Sequence, residues 1–181
     1  MTEQTQRKNL VFQPLVGYPP EISAWLWALE DGRTRTKETL TGIPPTALDF
    51  ITPSIDNTIG TLLYHIAIVE ADWLYEEVLV SEFAPNILAL FPHDMRDATG
   101  RLSEISGVTL NEHLDRLDAV RAALLAAFRS ITLEDFKRPR NLPQYDVTPQ
   151  WVLHHLCQHE AEHRGQIMEA RRLAEQAASS A

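Results

Sequence analysis

Apolar residues recur at intervals of three and four along four stretches of the chain, which is the period of an α-helix packed on one side. The first stretch runs from about Pro20 to Leu40, and Gly42 followed by Pro44 stops it. Its apolar positions include Ile22, Trp25, Leu26 and Leu29. The charged residues 33–38 near its end are expected to face solvent or the rim of the fold. This pattern predicts a first amphipathic helix.

Two further stretches repeat the helical period. In the second, Asp56 or Asn57 is expected to cap a helix that ends near Val80. Its apolar positions are Ile59, Leu62, Ile66, Val69 and Trp73. In the third, Thr109 and Glu112 have the spacing of a capping box, and the helix is expected to end near Ser130. Its apolar positions include Leu110, Leu114, Leu117, Val120 and Phe128.

The fourth stretch, Thr148 to Arg172, carries the candidate chemistry of the chain. Thr148 followed by Pro149 is typical of a helix start, because proline at the first position gives up an N–H that would have no partner anyway. The positions on its predicted buried stripe are Val152, Leu156, His159, His163, Ile167 and Ala170. Two histidines are therefore predicted to point inward.

The segments between these helices predict two long connections. Residues 81–107 contain Pro85, Pro92 and two glycines, and residues 132–148 form a crossover loop. We find no convincing strand period. The sequence thus predicts an all-α four-helix bundle as a single domain over residues 1–181, with long connections after helices two and three. Residues 1–18 are expected to be irregular, and residues 177–181 are expected to form a disordered tail.

His159 and His163 are four residues apart in the sequence His-Glu-Ala-Glu-His. Side chains at this spacing lie one turn above each other on a helix, so that two imidazoles can bind one ion. Because bundles build metal sites from inward side chains on facing helices, His65 in the second helix is the natural third ligand. The predicted metal site is therefore His65, His159 and His163.

Further residues are candidates for supporting roles. Glu160 or Glu162 could accept a proton in a reaction, or could simply form salt bridges. His155, Gln166 and Trp73 are expected to line the pocket or to support the ligands from behind. Among the residues without a predicted role in the site, His93 and His113 are expected at the surface, His154 at the surface or in a dimer contact, and Cys157 in packing.

Composition excludes several classes of function. The 25 acidic and 16 basic side chains give a formal net charge of −9, which argues against a nucleic-acid partner. The single cysteine, Cys157, excludes an internal disulfide and fits a reducing compartment, so we expect a cytoplasmic protein. No apolar run approaches the length of a membrane span, and no membrane partner is expected.

Two segments give the sequence a resemblance to a known family. Residues 59–67, Ile-Gly-Thr-Leu-Leu-Tyr-His-Ile-Ala, and residues 156–167, Leu-Cys-Gln-His-Glu-Ala-Glu-His-Arg-Gly-Gln-Ile, resemble the DinB-like superfamily, also called DinB/YfiT. The resemblance implies an up-down-down-up bundle, a metal site at His65, His159 and His163, and a homodimer. Relatives include thiol S-transferases that use bacillithiol or mycothiol and a mycothiol-dependent maleylpyruvate isomerase. The chain departs from the shortest members in the 81–107 insertion and in the His154-His155 pair.

Three functions remain open at this point. The first is a metal-dependent enzyme of the thiol S-transferase or hydrolase type, acting on a small molecule and possessing a divalent ion that activates water or a thiolate. Zinc or nickel is expected, with iron or manganese as alternatives, and a low-molecular-weight thiol could be a co-substrate. The second is a zinc peptidase with Glu160 as general base. The third is a non-catalytic domain braced by the metal.

Overall fold

The computed structural model describes residues 10–180, which are mostly helical, as predicted for an all-α protein. Four long helices dominate it, and two shorter ones lie in the connections. In chain order they are α1 (Pro20–Thr39), α2 (Ile59–Asp72), α3 (Pro85–Leu88), α4 (Leu110–Phe128), α5 (Leu133–Lys137) and α6 (Pro149–Ser179). The four helices predicted from the periodicity are α1, α2, α4 and α6.

The helix starts follow from local hydrogen bonds. The side chain of Thr148 accepts from the backbone N–H of Trp151, and Thr109 and Glu112 form the predicted capping box. The cap of α2 is Thr58, whose hydroxyl accepts from the N–H of Thr61. The prediction of Asp56 or Asn57 was therefore wrong, because the chain remains irregular for one or two more residues before α2 begins.

Helix α2 changes its winding before it ends. Residues Trp73–Leu79 continue it as a π-helix, in which each N–H bonds to the carbonyl five residues back. Val80 then adopts a left-handed conformation with φ 50° and terminates the helix. The predicted end near Val80 is confirmed, but the π-helical winding of the last two turns was not predicted.

The connections contain small ordered elements. A 3-10 turn spans Pro45–Ala47, and strands β1 (Arg140–Asn141) and β2 (Asp146–Val147) pair antiparallel within the loop before α6. In this hairpin Arg140 lies opposite Val147. The loop between α5 and α6 is thus a short hairpin rather than an irregular crossover.

The insertion 81–107 is fastened to α2 by specific hydrogen bonds. The Tyr64 hydroxyl donates to the carbonyl of His93 at 2.6 Å and accepts from its N–H at 3.1 Å. The N–H of Ile105 donates to the Thr61 hydroxyl at 3.1 Å. A Cβ at Gly60 would approach the Ile105 carbonyl to 3.3 Å, so glycine allows the loop to lie against the helix.

The long helices bury their apolar stripes against each other. Helix α1 packs on α6, and α2 packs on both α4 and α6. Two clusters of buried side chains result, one around Leu26, Leu124 and Phe128 and the other around Leu62 and Ile167. The predicted apolar positions Val152, Leu156, Ile167 and Ala170 of α6 are all buried.

The C-terminal end of the chain differs from the prediction, whereas the described part of the N-terminal segment agrees with it. Residues 10–18 form no helix or strand, as expected, whereas residues 1–9 of the predicted irregular segment lie outside the described residues. Helix α6 continues to Ser179, so the predicted tail is helical over residues 177–179. Between residues 10 and 180, none of the helices combines the length and the apolar character that a membrane crossing requires.

Candidate metal centre

Three histidines from two helices meet at one point of the structure. His65 comes from the middle of α2, and His159 and His163 come from successive turns of α6. The Nε2 atom of His159 lies 3.2 Å from Nε2 of His65 and 3.0 Å from Nε2 of His163. One ring nitrogen of each lies within 4.8 Å of the others, which makes the three a group that could hold a metal ion.

These distances fit the requirements of one bound ion. At a metal–nitrogen bond of about 2.1 Å, two nitrogens on the same ion lie roughly 3.0 to 3.4 Å apart for bond angles between octahedral and tetrahedral values. The two Nε2 separations fall within that range. The same nitrogen of each ring faces the common point, so no rotation of a ring is needed to bring a lone pair to it.

Gln166 fixes the proton on one of these rings. Its Oε1 lies 2.8 Å from Nδ1 of His163, and because an amide oxygen can only accept, Nδ1 of His163 is the donor. A neutral imidazole with its proton on Nδ1 presents a bare lone pair at Nε2. Gln166 therefore holds His163 so that its Nε2 lone pair faces the other two histidines, which is the orientation of a metal ligand.

The electrostatic setting of two of these rings, His65 and His159, keeps them uncharged. Burial, followed by the neighbouring His163, lowers the pKa of His65 to about 4 and that of His159 to about 3. A neutral imidazole is the form that binds a metal, and it dominates at neutral pH under these conditions. On His65 the Nδ1 atom is buried and has no hydrogen-bond partner among the described residues.

Glu160 lies on α6 between the two histidines but belongs to another cluster. Its carboxylate accepts from Arg33 at 2.8 and 3.3 Å and from Arg121 at 3.3 Å. The same two arginines also bind Glu70, with distances of 2.6 to 2.9 Å. The four residues are each at most 4% exposed and come one from each of the four long helices. Of the two roles open for Glu160, the structure shows salt-bridge formation.

The other predicted residues lie around the histidine group. Glu162 is exposed on α6. Burial lowers the pKa of His155, and the charge of Glu162 offsets part of this effect. The ring of His155 lies 5.8 Å from His159 and 4.5 Å from Trp73, measured between centroids. Trp73 in turn lies 5.3 Å from Trp151. An aromatic wall therefore extends from the histidine group to the start of α6.

One cavity borders this wall and another borders the insertion. The first, of about 470 Å³, is bounded by Trp73, Tyr145, Trp151 and residues 146–148. The other, of about 610 Å³, lies between residues 51–61 and the insertion, which contributes Arg96 and Arg101. After burial and His163, the charge of Arg96 also contributes to the lowered pKa of His65. The insertion 81–107 thus builds one wall of a cavity.

Two surface predictions were wrong, and each concerns a buried polar side chain. His113 is 1% exposed and packs beside Gly60, while burial lowers its pKa to about 4. Arg33, expected at the solvent-facing end of α1, is 4% exposed. His154 is half-buried against Trp25, and Cys157 packs against the core as predicted.

The buried charge cluster was missed although the sequence contained a signal for it. Arg33 continues the stripe of Leu26 and Leu29 at a spacing of four. The same holds for Arg121 between Leu117 and Leu124. A charged residue at a stripe position in each of four helices indicates mutual neutralisation, since an isolated buried charge is strongly unfavourable.

Comparisons with known proteins agree with this architecture. A solved structure described as the conserved protein of locus from Enterococcus faecalis superimposes with a TM-score of 0.62. The two are 19% identical, and the match covers 82% of this chain and 94% of that one, so the likeness concerns the fold alone. No curated protein matches the chain. The sequence profile of the DinB superfamily matches residues 28–167, more than half of the 181 residues, and the chain therefore belongs to the DinB superfamily.

Proposed function

We propose that this protein is a metal-dependent enzyme whose divalent ion is bound by His65, His159 and His163. The observation that carries the proposal is the convergence of three Nε2 atoms within bonding range of one point. With the proton of His163 on Nδ1, a single Nε2–H on His159 would have to serve both of these contacts, whereas one cation would accept all three lone pairs. Membership of a superfamily whose members typically bind metal supports the same assignment.

A divalent ion bound there would act as a Lewis acid that lowers the pKa of a bound water or thiol. Because the three ligands are neutral, the chain itself would not cancel any of the ion's charge. Gln166 holds the ring of His163 in place, and the wall of His155, Trp73 and Trp151 lies to one side of the histidine group. In the proposed enzyme Gln166 orients a ligand, and the wall offers aromatic surface to a substrate.

The reaction class that we propose is thiol S-transfer or hydrolysis on a small molecule. Both reactions need a nucleophile at neutral pH. The two cavities, one beside the aromatic wall and one beside the insertion, have volumes of about 470 and 610 Å³, which suit small ligands. We propose zinc or nickel as the ion, since imidazole nitrogen suits both, and a low-molecular-weight thiol as a co-substrate.

The zinc-peptidase alternative receives less support from the geometry. A peptidase of this type needs the glutamate after the first histidine as a free general base. Here the Glu160 carboxylate binds Arg33 and Arg121 in the interior, so its lone pairs are engaged. Glu162 is the remaining candidate proton acceptor of the segment, and we include it in the proposal in that role.

We propose further that the four long helices form an up-down-down-up bundle and that the protein is a homodimer. The pairing of α1 with α6 and of α2 with α4 and α6 is consistent with that topology. Light scattering on the purified full-length protein would measure the oligomeric state.

Metal analysis of freshly purified protein tests the central proposal. We expect about one zinc or nickel ion per chain in the natural sequence and almost none in His163→Ala or His65→Ala. His93→Ala is the matched control, because its side chain is exposed. Full metal content in His163→Ala would contradict the assignment of the ligands.

The second stage of the experiment measures activity. The metal-loaded protein is assayed with bacillithiol, mycothiol and glutathione against a panel of electrophiles, and separately for hydrolysis of small esters and amides. We expect turnover that disappears with His163→Ala and falls with Glu162→Gln. Metal binding without turnover in any of these assays would leave the ion with a structural role and would defeat the enzymatic part of the proposal.

A further inference from the structure

A second group of potential ligands lies where α2 passes into its π-helical end. Asp72, Glu76 and Glu77 each place one carboxylate oxygen within 4.8 Å of the others. Asp72 is the last residue of the α-helical part, and the two glutamates belong to the π-helix. All three donors are oxygens, in contrast to the three nitrogens of the histidine group.

The π-helical winding explains why these three side chains converge. In an α-helix, a residue four positions ahead lies over the first, while one five positions ahead points to a different side. In a π-helix the turn is completed between four and five residues ahead, so the positions four and five ahead flank the first. The winding therefore brings both Glu76 and Glu77 beside Asp72, and single π-turns of this kind are frequent at functional sites.

The charges of the group are not compensated by the protein. Among the ion pairs formed within residues 10–180, none involves Asp72, Glu76 or Glu77. Burial, followed by repulsion from Glu76 and Glu77, raises the pKa of Asp72 to about 6. Burial also raises the pKa of Glu77. A cation bound among the three would reverse these effects.

Glu77 supplies an independent indication of a missing partner. Its side chain is buried, with the residue only 5% exposed, and its Oε1 accepts a hydrogen bond of 2.7 Å from the Tyr145 hydroxyl. Its Oε2 is buried and has no hydrogen-bond partner among the described residues. A buried carboxylate oxygen without a partner is strongly unfavourable, whereas coordination to a cation would satisfy it.

We propose that Asp72, Glu76 and Glu77 form a second metal site, which binds a hard divalent cation of the calcium and magnesium class. Such ions take carboxylate oxygens, whereas the three-imidazole site suits zinc or nickel, so the two sites differ in their preferred ion. The carboxylate group lies next to Trp73, which packs against Tyr145, Trp151 and His155. An ion there would fix the helical turn that carries this aromatic wall.

Terbium luminescence tests the proposal, because Tb³⁺ binds at oxygen-rich calcium sites and is excited by a nearby indole. In the full-length protein we expect sensitised emission on excitation of tryptophan, displaced by Ca²⁺ or Mg²⁺. Asp72→Asn and Glu76→Gln should each weaken Tb³⁺ and Ca²⁺ binding by about ten-fold or more, because the charge count sets the affinity of such sites. Neither residue is fully buried, so both variants are expected to fold.

Two control variants distinguish binding at this site from a general effect of charge and from binding at the histidine group. Glu82→Gln removes the same charge from an exposed position outside the group, and His163→Ala removes a ligand of the histidine site. Both should leave Ca²⁺ affinity, measured by calorimetry, within about two-fold of the unmodified protein. The proposal is overturned if no sensitised emission develops at millimolar Tb³⁺. Binding that is unchanged in Asp72→Asn and Glu76→Gln, or that disappears with His163→Ala, would overturn it equally.

Discussion

Single side chains set the orientation and protonation of the histidine ligands, and Gln166 is the most direct example. It holds His163 through Nδ1 and thereby leaves Nε2 free to bind. Partners of this kind contribute about 10- to 100-fold to metal affinity. We therefore expect Gln166→Ala to weaken zinc binding by about that factor, as measured by competition with a chromophoric chelator. Gln158→Ala, on an exposed position of the same helix, should have no effect, and equal losses in both variants would contradict the role of Gln166.

His113 gives a prediction about pH at the same scale. Burial, followed by the charge of Arg116, lowers its pKa from 6.5 to about 4. Above pH 6.5 the imidazole is neutral in both states; between about 6.5 and 4 only the unfolded chain takes up the proton, so the free energy of unfolding falls as the pH falls. Between pH 6.5 and 5 this amounts to roughly 1 to 2 kcal/mol.

Urea unfolding of the natural protein and of His113→Gln at pH 7.5 and at pH 5 measures this contribution. The variant should lose less stability between the two pH values than the natural protein. An identical loss in both proteins would show that His113 takes up its proton in the folded state. The two histidines His65 and His159 affect both proteins equally and cancel in the comparison.

At the scale of helices and connections, the buried ion pairs hold the four long helices together. Arg33, Glu70, Arg121 and Glu160 come from α1, α2, α4 and α6, and Arg33 also donates to the Leu117 carbonyl at 2.9 Å. Removing one partner of such a cluster leaves an uncompensated buried charge, which costs about 3 to 5 kcal/mol. We expect Glu160→Gln to lower the free energy of unfolding by that amount and to keep its metal.

Equilibrium unfolding together with metal analysis checks this prediction. Glu169→Gln serves as the control, because Glu169 is exposed on the same helix and pairs with the exposed Arg172. It should change stability by less than about 1 kcal/mol. Loss of metal from Glu160→Gln at unchanged stability would instead indicate that this carboxylate acts at the histidine site.

The elements also show what the sequence could predict. The four long helices follow from the apolar period, and the histidine group follows from the four-residue spacing on α6 combined with one histidine on a facing stripe. The burial of Arg33 is signalled only by its place on the stripe of Leu26 and Leu29, and a count of apolar residues passes over it because its partners Glu70 and Glu160 come from other helices. The same count passes over His113, which is buried beside Gly60 of α2. The π-helix was not predicted either, since Trp73, its first residue, fits the α-helical stripe of Ile59, Leu62, Ile66 and Val69.

At the scale of the whole molecule, removal of the metal distinguishes an ion that serves catalysis from an ion that only stabilises the fold. The ion pairs and the two apolar clusters lie apart from the histidine ligands, so we expect the apoprotein to stay folded with an unchanged far-ultraviolet dichroism spectrum. Zinc at 100 times its Kd adds about 2.7 kcal/mol to the stability of the folded state. This corresponds to a rise in melting temperature of about 5 to 10 °C for a chain of this size.

Calorimetry of the apoprotein with and without zinc measures that shift, and His163→Ala should show none. An apoprotein that is unfolded at 25 °C would favour the non-catalytic, metal-braced domain over the enzyme. An intact apoprotein with a modest shift would agree with a site that is prepared before the ion arrives.

The charge cluster also bears on the order of events during folding. Since each long helix provides one of its members, an assembly of two or three helices would enclose a guanidinium or carboxylate without its complete set of partners. Such partial structures are penalised, so the last helix has to dock before every charged group has all of its partners. Substitutions of these four charged residues should accordingly speed unfolding more than they slow folding. The chain should fold in one cooperative step, without populated intermediates.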